Sequence, residues 1–192
     1  MTASQVPSDD ALLMLFANGD ADAARALTDR LGPRAFAVAL RLLGDRSEAE
    51  DVAQEAMLRL WRMAPDWRPG AAQVGTWLYR VVLNLCIDRK RRGRRVSAGL
   101  EGVPEPADPA PGMAERLQDG ARAQALQAAL MRLPERQRQA VVLRHIEELG
   151  NPEIAAILET STEAVESLTA RGRRALAADL AARREELGYR DD

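Results

Sequence analysis

Apolar residues recur along this chain at intervals of three and four, β-branched residues are sparse and strict alternation persists nowhere. That pattern predicts helix almost throughout. Ser8 can cap a first helix carrying Leu12, Leu13, Leu15 and Phe16, which Gly19 ends. Asp20 opens a second, interrupted at Gly32-Pro33 and resumed through Ala35, Val38, Ala39 and Leu42 to Gly44. Ser47 and Glu50 fit a capping box for a third helix reaching about Met63. The loop "APDWRPGAAQVG" follows. A long helix then starts near Thr76, turns Leu78, Val81, Val82 and Leu85 inward, and runs into a basic tract.

The character changes over 93 to about 120, where four of the ten prolines fall within eight positions. Such a stretch has little to bury and is expected to behave as an extended tether. Helical patterning returns at Arg122. The fold expected is all-α: two small helical domains, 8–95 and 122–185, joined by a flexible Pro/Gly-rich linker over 96–121.

Within the second domain, Asn151 as N-cap and Pro152 in the first turn make a strong helix start. Ile154, Ile157 and Leu158 supply its buried stripe, and Ala155 is small enough for a close crossing. Thr160 or Thr162 caps the next helix, Glu163 completing a box with Thr160; Val165 and Leu168 or Thr169 face back inward. This is helix-turn-helix spacing, in which the second helix enters a major groove. An ordinary αα-hairpin shows the same spacing. The preceding "LMRLPERQRQAVVLRHIEELG" adds a helix with Val141, Val142 and Ile146 on one side, and Arg136, Arg138 and Arg144 available to phosphates.

Composition narrows the function. Of the 192 residues 46% are hydrophobic, ordinary for a chain that buries a core. No apolar run approaches the roughly 20 residues that span a bilayer, and "MTASQVPSDD" lacks the segments of a signal peptide; a cytoplasmic protein without membrane insertion is expected. The single cysteine, Cys86, rules out an internal disulfide and reads as a small core residue rather than a reactive thiol. The single histidine, His145, leaves no Cys/His metal cluster and no acid/base partner, so no catalytic residue, metal or cofactor is expected. The net charge of −2 hides an asymmetry. Residues 1–60 carry ten acids and six bases, whereas 80–95 carry seven bases against Asp88 alone, a local +6. One face suits a polyanion and another something else.

Two stripes carry candidate chemistry. On the third helix Asp51, Gln54, Glu55 and Leu58 share a side; a solvated face explains the polar members, while Leu58 among them hints at docking. On the fourth, Trp77, Arg80, Asn84, Asp88 and Arg91 recur at spacings of three or four. Arginines hold phosphates, an amide offers paired donor and acceptor to a base edge, and aromatics stack on unpaired bases. The plainer alternative makes Trp77 a core residue and the arginines solubilising.

In this order, with the Pro-rich stretch between them, the pieces resemble a bacterial sigma factor of the extracytoplasmic-function (ECF) group. "DRSEAEDVAQEAMLRLW" is similar to the region 2 helix that docks on the polymerase clamp, and "GTWLYRVVLNLCIDRKRR" to the segment that melts and reads the minus-ten element. "LMRLPERQRQAVVLRHIEELGNPEIAAIL" with "AVESLTARGRRAL" is similar to region 4, which reads the minus-thirty-five element. The resemblance implies that Asp51, Gln54, Glu55 and Leu58 contact core RNA polymerase, and that Trp77, Arg80, Asn84, Asp88, Arg89, Lys90, Arg91 and Arg92 lie along promoter DNA. It also implies that Asp66, Trp67 and Arg68 hold a flipped-out non-template base, whose extrusion costs a few kcal/mol. Region 4 would meet the minus-thirty-five element through Arg144, Glu163, Ala164, Glu166, Ser167, Ala170, Arg171 and Arg174. An anti-sigma factor as partner, a stress or environmental response, and no catalytic site on the chain itself are implied likewise.

The chain departs from the family at two places. Glu159 stands where Gly often follows the first helix, with a left-handed penalty of about 1–2 kcal/mol. "AVESLT" stands where "TVKSRL" is frequent, replacing two bases by Glu166 and Leu168. Phosphate attraction then falls to Arg144, Arg171, Arg173 and Arg174, leaving Glu163 or Glu166 to accept from cytosine N4; alternatively this face serves a protein partner. A homodimeric helix-turn-helix regulator is the competing function, but it gives no reason for the N-terminal stripes.

Overall fold

A computed structural model describes residues 7–70, 73–96 and 113–181, and among these there are helices and no strands. Helix α1 spans Asp9–Ala17, α2 Ala21–Leu43, α3 Arg46–Met63 and α4 Val74–Val96, with a single 3-10 turn at Ala64–Asp66. The second block holds α5 (Met113–Arg132), α6 (Glu135–His145), α7 (Asn151–Leu158) and α8 (Thr162–Ala181). Helix α5 thus begins nine residues before Arg122, and 97–112, the heart of the expected tether, lies outside the described residues, as do 182–185.

Several sequence expectations shift at the helix ends. Ser8 does cap α1, accepting from the Ala11 amide. Helix α3 is capped by Asp45, not Ser47: its carboxylate accepts from the Glu48 amide at 2.8 Å, and starting two residues earlier brings Ala49 into the core. Gly150, not Asn151, is the N-cap of α7, and Glu153 reaches back to its N–H at 2.8 Å. For α8 the cap is Ser161, whose hydroxyl accepts from the Ala164 amide, rather than either threonine.

The break expected at Gly32-Pro33 does not occur. Helix α2 is continuous through Pro33, although a mid-helix proline costs about 3 kcal/mol. Leu27 and Leu31 before it and Ala35, Val38, Ala39 and Leu42 after it are all buried on one face. At about 1.5–3 kcal/mol for each large aliphatic side chain, that stripe outweighs the missing hydrogen bond. Helix α2 is the spine of the first block, with α1, α3 and α4 packed around it. In the second block α8 is central, with α5, α6 and α7 packed on it.

The inward stripe of α4 is rotated from the one expected. Val74, Leu78, Tyr79, Val82, Leu83 and Cys86 are buried, while Val81 and Leu85 are only half-buried. The two blocks also touch. Helices α5 and α6 pack on α2, and α7 packs on α4, so that the buried apolar residues form one cluster from Leu12 to Leu176. Gln127 of α5 donates to the Leu40 carbonyl and accepts from Arg41, both on α2.

Candidate polymerase and promoter interface

The residues expected to meet polymerase come together. Asp51, Gln54, Glu55 and Leu58 line one wall of an open groove of about 370 Å³ between α3 and α4. Leu58 is 41% exposed, a large apolar side chain left facing solvent amid charge. Glu55 takes a hydrogen bond from Arg59 at 2.8 Å, which holds its carboxyl below the usual carboxylate range. The opposite wall is made by Leu85, Asp88, Arg89 and Arg92, and Arg89 bridges the groove to Asp51 at 3.2 Å.

The structure therefore divides the α4 stripe. Its C-terminal part (Asp88, Arg89 and Arg92) shares the groove with the polymerase candidates, with Arg91 and Arg92 exposed and Lys90 half-buried beside them. Asn84 is exposed midway. At the N-terminal end Trp77 is half-buried against the core, and Arg80 is turned towards α7. Each spacing of three or four places neighbours within one turn, yet over 23 residues the stripe winds across more than one neighbour.

Asp66 ends the 3-10 turn that buries Ala64, and Trp67 and Arg68 follow it. Asp66 and Arg68 are exposed, while Trp67 is half-buried and donates its indole N–H to Asp10 of α1 at 2.9 Å. Asp10 carries no sequence signal beyond its place in a helix's first turn.

On the helix-turn-helix, Glu163, Glu166, Ser167, Ala170, Arg171 and Arg174 all face outward along α8, and Ala164 is half-buried. Arg171 donates to the Ser167 carbonyl one turn back. The Glu163 carboxylate folds onto the start of its own helix; bonds from its own backbone N–H, then Ser161 and Thr162, keep it ionised below the usual range. Glu166 accepts from the Asn151 side chain at 3.2 Å, which ties α8 to the start of α7. Glu159 ends α7 in the left-handed conformation, φ 51°, as its position in the glycine slot implies.

Of the three arginines offered to phosphates on α6, Arg138 is buried, while Arg136 and Arg144 are exposed. Arg138 is only 5% exposed and donates to the Met131 carbonyl at the end of α5, and Arg136 donates to the Leu158 carbonyl at the end of α7. Both neutralise helix C-termini, where the dipole favours a cation. Arg144 is exposed, holding the Leu149 carbonyl at 2.8 Å.

Reasoning from sequence missed the contact between the blocks. Tyr79 donates its hydroxyl to Glu147, a carboxylate whose side chain is 5% exposed, and Arg34 reaches the same carboxylate at 3.3 Å. Burial first, then that bond, holds the Tyr79 phenol well above its ordinary range. Arg80 donates to the Ala156 carbonyl of α7 at 2.7 Å and lies 3.4 Å from Glu159. A glutamate between the apolar Ile146 and Leu149 was the available signal.

Comparison with known proteins defines the class first. Residues 27–96 match the family described as Sigma-70 region 2, and 123–176 match Sigma-70, region 4. Over 174 residues the chain is 32% identical to the ECF RNA polymerase sigma factor SigW of Bacillus subtilis, covering 82% of this chain and 89% of that protein. It is 38% identical over 147 residues to ECF RNA polymerase sigma factor SigE of Mycolicibacterium smegmatis, a match spanning 74% of this chain and 56% of the longer relative. Among solved structures, CnrH in complex with the cytosolic domain of CnrY aligns with a TM-score of 0.66 at 29% identity, covering 92% of this chain and 99% of CnrH. The chain belongs to the ECF RNA polymerase sigma factors. Helix α1 precedes the stretch matched to Sigma-70 region 2.

Proposed function

We propose that this chain is a promoter-specificity subunit: it joins core RNA polymerase through the α3–α4 groove, opens and holds the minus-ten element with α4 and the loop at Asp66–Arg68, and anchors the minus-thirty-five element with α8. The observation that carries this reading is the α3–α4 groove, where exposed Leu58 stands among Asp51, Gln54 and Glu55 beside the cationic end of α4. Apolar side chains ringed by charge suit a protein partner, and the adjoining cations suit the strand that the partner delivers.

The work asked of the chain is binding and positioning. Arg80, Arg91 and Arg92 hold phosphates, Asn84 meets a base edge, and Trp67 flanks the pocket for an extruded base, whose contacts offset a few kcal/mol of unstacking. Bond formation belongs to the polymerase, and the chain supplies no catalytic group. It acts in the cytoplasm, where an anti-sigma factor holds it until a signal releases it; support for a protein partner of this kind comes from CnrH, solved in complex with the cytosolic domain of CnrY. Among the described residues no helix is long and apolar enough to cross a membrane.

Start-site mapping with holoenzyme tests the assignment of the two DNA faces. Asn84→Ala is expected to weaken discrimination at the minus-ten element, and Arg171→Ala to weaken use of promoters that depend on the upstream element. Unchanged start-site choice in both variants would sink it.

A further inference from the structure

The two acids at the start of α8 are held in different ways. The Glu163 carboxylate turns back on its own helix, bound by its own backbone N–H and by the side chains of Ser161 and Thr162. Glu166 is held from another helix: Asn151 of α7, 15 positions away, donates its Nδ2 to Oε1 at 3.2 Å. That bond engages one carboxylate oxygen and leaves Oε2 as an acceptor.

Both ends of the bond stand on packed helices. Val165, next to Glu166, is buried, as are Ile154 and Ala155 of α7, and the two helices pack on one another. The backbone at Glu166 is therefore set, and what remains to be fixed is the side-chain rotamer. Asn151 narrows that choice before any ligand arrives, and a group already ordered loses less freedom on binding. Both side chains keep contact with solvent, so the pair is open to a ligand along the outward face of α8.

Charge limits what that ligand presents. A carboxylate brought among phosphates is repelled unless a hydrogen-bond donor meets it. The major groove offers such donors at cytosine N4 and adenine N6. Adenine sets its N7 acceptor beside the donor, where it repels a carboxylate; cytosine carries no acceptor there. Glu166 lies in the second turn of α8, and a recognition helix offers its N-terminal residues to base edges. Arg171 and Arg174, exposed further along the helix, are placed for phosphates.

We propose that Asn151 and Glu166 form one reading unit: Glu166 accepts from the N4 of a cytosine in the minus-thirty-five element, and Asn151 is the positioning residue that aims it. The assignment rests on the reading of α8 as the upstream DNA helix. Of the two candidate acids, Glu163 then serves its own helix start and Glu166 the base. Part of the sequence preference comes from α7, outside the recognition helix.

Holoenzyme made from core RNA polymerase and the full chain, selecting promoters from a library randomised across the upstream element, tests this. The unaltered chain is expected to enrich cytosine at one position. Glu166→Gln keeps the size and removes the charge, and is expected to lower that enrichment roughly tenfold while other positions keep theirs. Asn151→Ala is expected to lower it roughly fivefold at the same position. In a Glu166→Gln background Asn151→Ala is expected to change nothing further, which a general weakening of α7 could not reproduce. Asn151→Ala acting equally in both backgrounds, or cytosine lost with Glu163→Gln and kept with Glu166→Gln, overturns the assignment. Preferences that Glu166→Gln leaves unmoved overturn it as well and give this face to a protein partner. If the unaltered holoenzyme opens promoters yet enriches no upstream element, the DNA reading of α8 itself fails, and the assignment with it.

Discussion

Trp67 and Asp10 lie 57 positions apart in sequence, yet the indole N–H of one meets the carboxylate of the other at 2.9 Å. Asp10 sits in the first turn of α1, and its neighbour Asp9 pairs with Arg30 of α2 at 2.6 Å. The first helix is thereby fixed to the spine of the block and holds the loop proposed to take the extruded base. A hydrogen bond to a charged group contributes about 1.5–3 kcal/mol when neither partner is fully exposed. Asp10→Ala is expected to cost part of that and to blur discrimination at one position of the minus-ten element, with Asp10→Asn restoring it. Base-by-base substitution of the promoter in an open-complex assay checks this, and a uniform loss across all positions would count against positioning.

A second expectation concerns Gly172, in the interior of α8. A Cβ added there would stand 2.6 Å from Val141 Cγ2 and 3.3 Å from the Gln137 carbonyl. In an open helix Gly→Ala stabilises by about 1 kcal/mol. Here the branched Val141 cannot swing away, and overpacking of this kind costs about 1–3 kcal/mol. Gly172→Ala is expected to lower the urea midpoint, reversing the sign that helix propensity alone would give.

Much of this was legible in the sequence, and the reason is local. Apolar spacing located the helices, and the same periodicity put Asp51, Gln54, Glu55 and Leu58 on one side of α3, because both depend on neighbours one turn away. The caps went wrong by one or two residues, since Asp45, Ser47 and Asn151 are all good caps and only packing chooses among them. The path through Pro33 and the burial of Arg138 depend on partners far along the chain. So does the seam at Glu147, whose partners lie 68 and 113 positions away.

The acidic start of α8 makes a prediction about salt and sequence. Each arginine lost from a phosphate contact is expected to reduce the slope of log affinity against log salt by about 0.9. Arg174→Ala should show that change with base preference intact. Glu166→Lys should steepen the slope and also alter the preferred upstream sequence, as read by binding selections. An unaltered preference would mean that Glu166 reads no base.

Alkaline pH should weaken the fold. Burial pushes the Cys86 thiol up from about 9 to about 12, and Tyr79 is raised from 10. Both groups hold their protons more tightly folded than unfolded. The stability they contribute is complete below pH 9 and declines as pH rises from there towards 12. Denaturant midpoints measured from pH 8 to 11 are expected to fall, and Cys86→Ala should make the early part of that fall shallower.

Run-off transcription from a promoter library, with core RNA polymerase and this chain supplied separately and together, bears most directly on the central claim. Specific transcripts are expected only when both are present, and Leu58→Asp, placing a charge in the α3–α4 groove, should remove them without unfolding the chain. Specific transcripts from core polymerase alone, or undiminished transcripts with Leu58→Asp, would contradict the account.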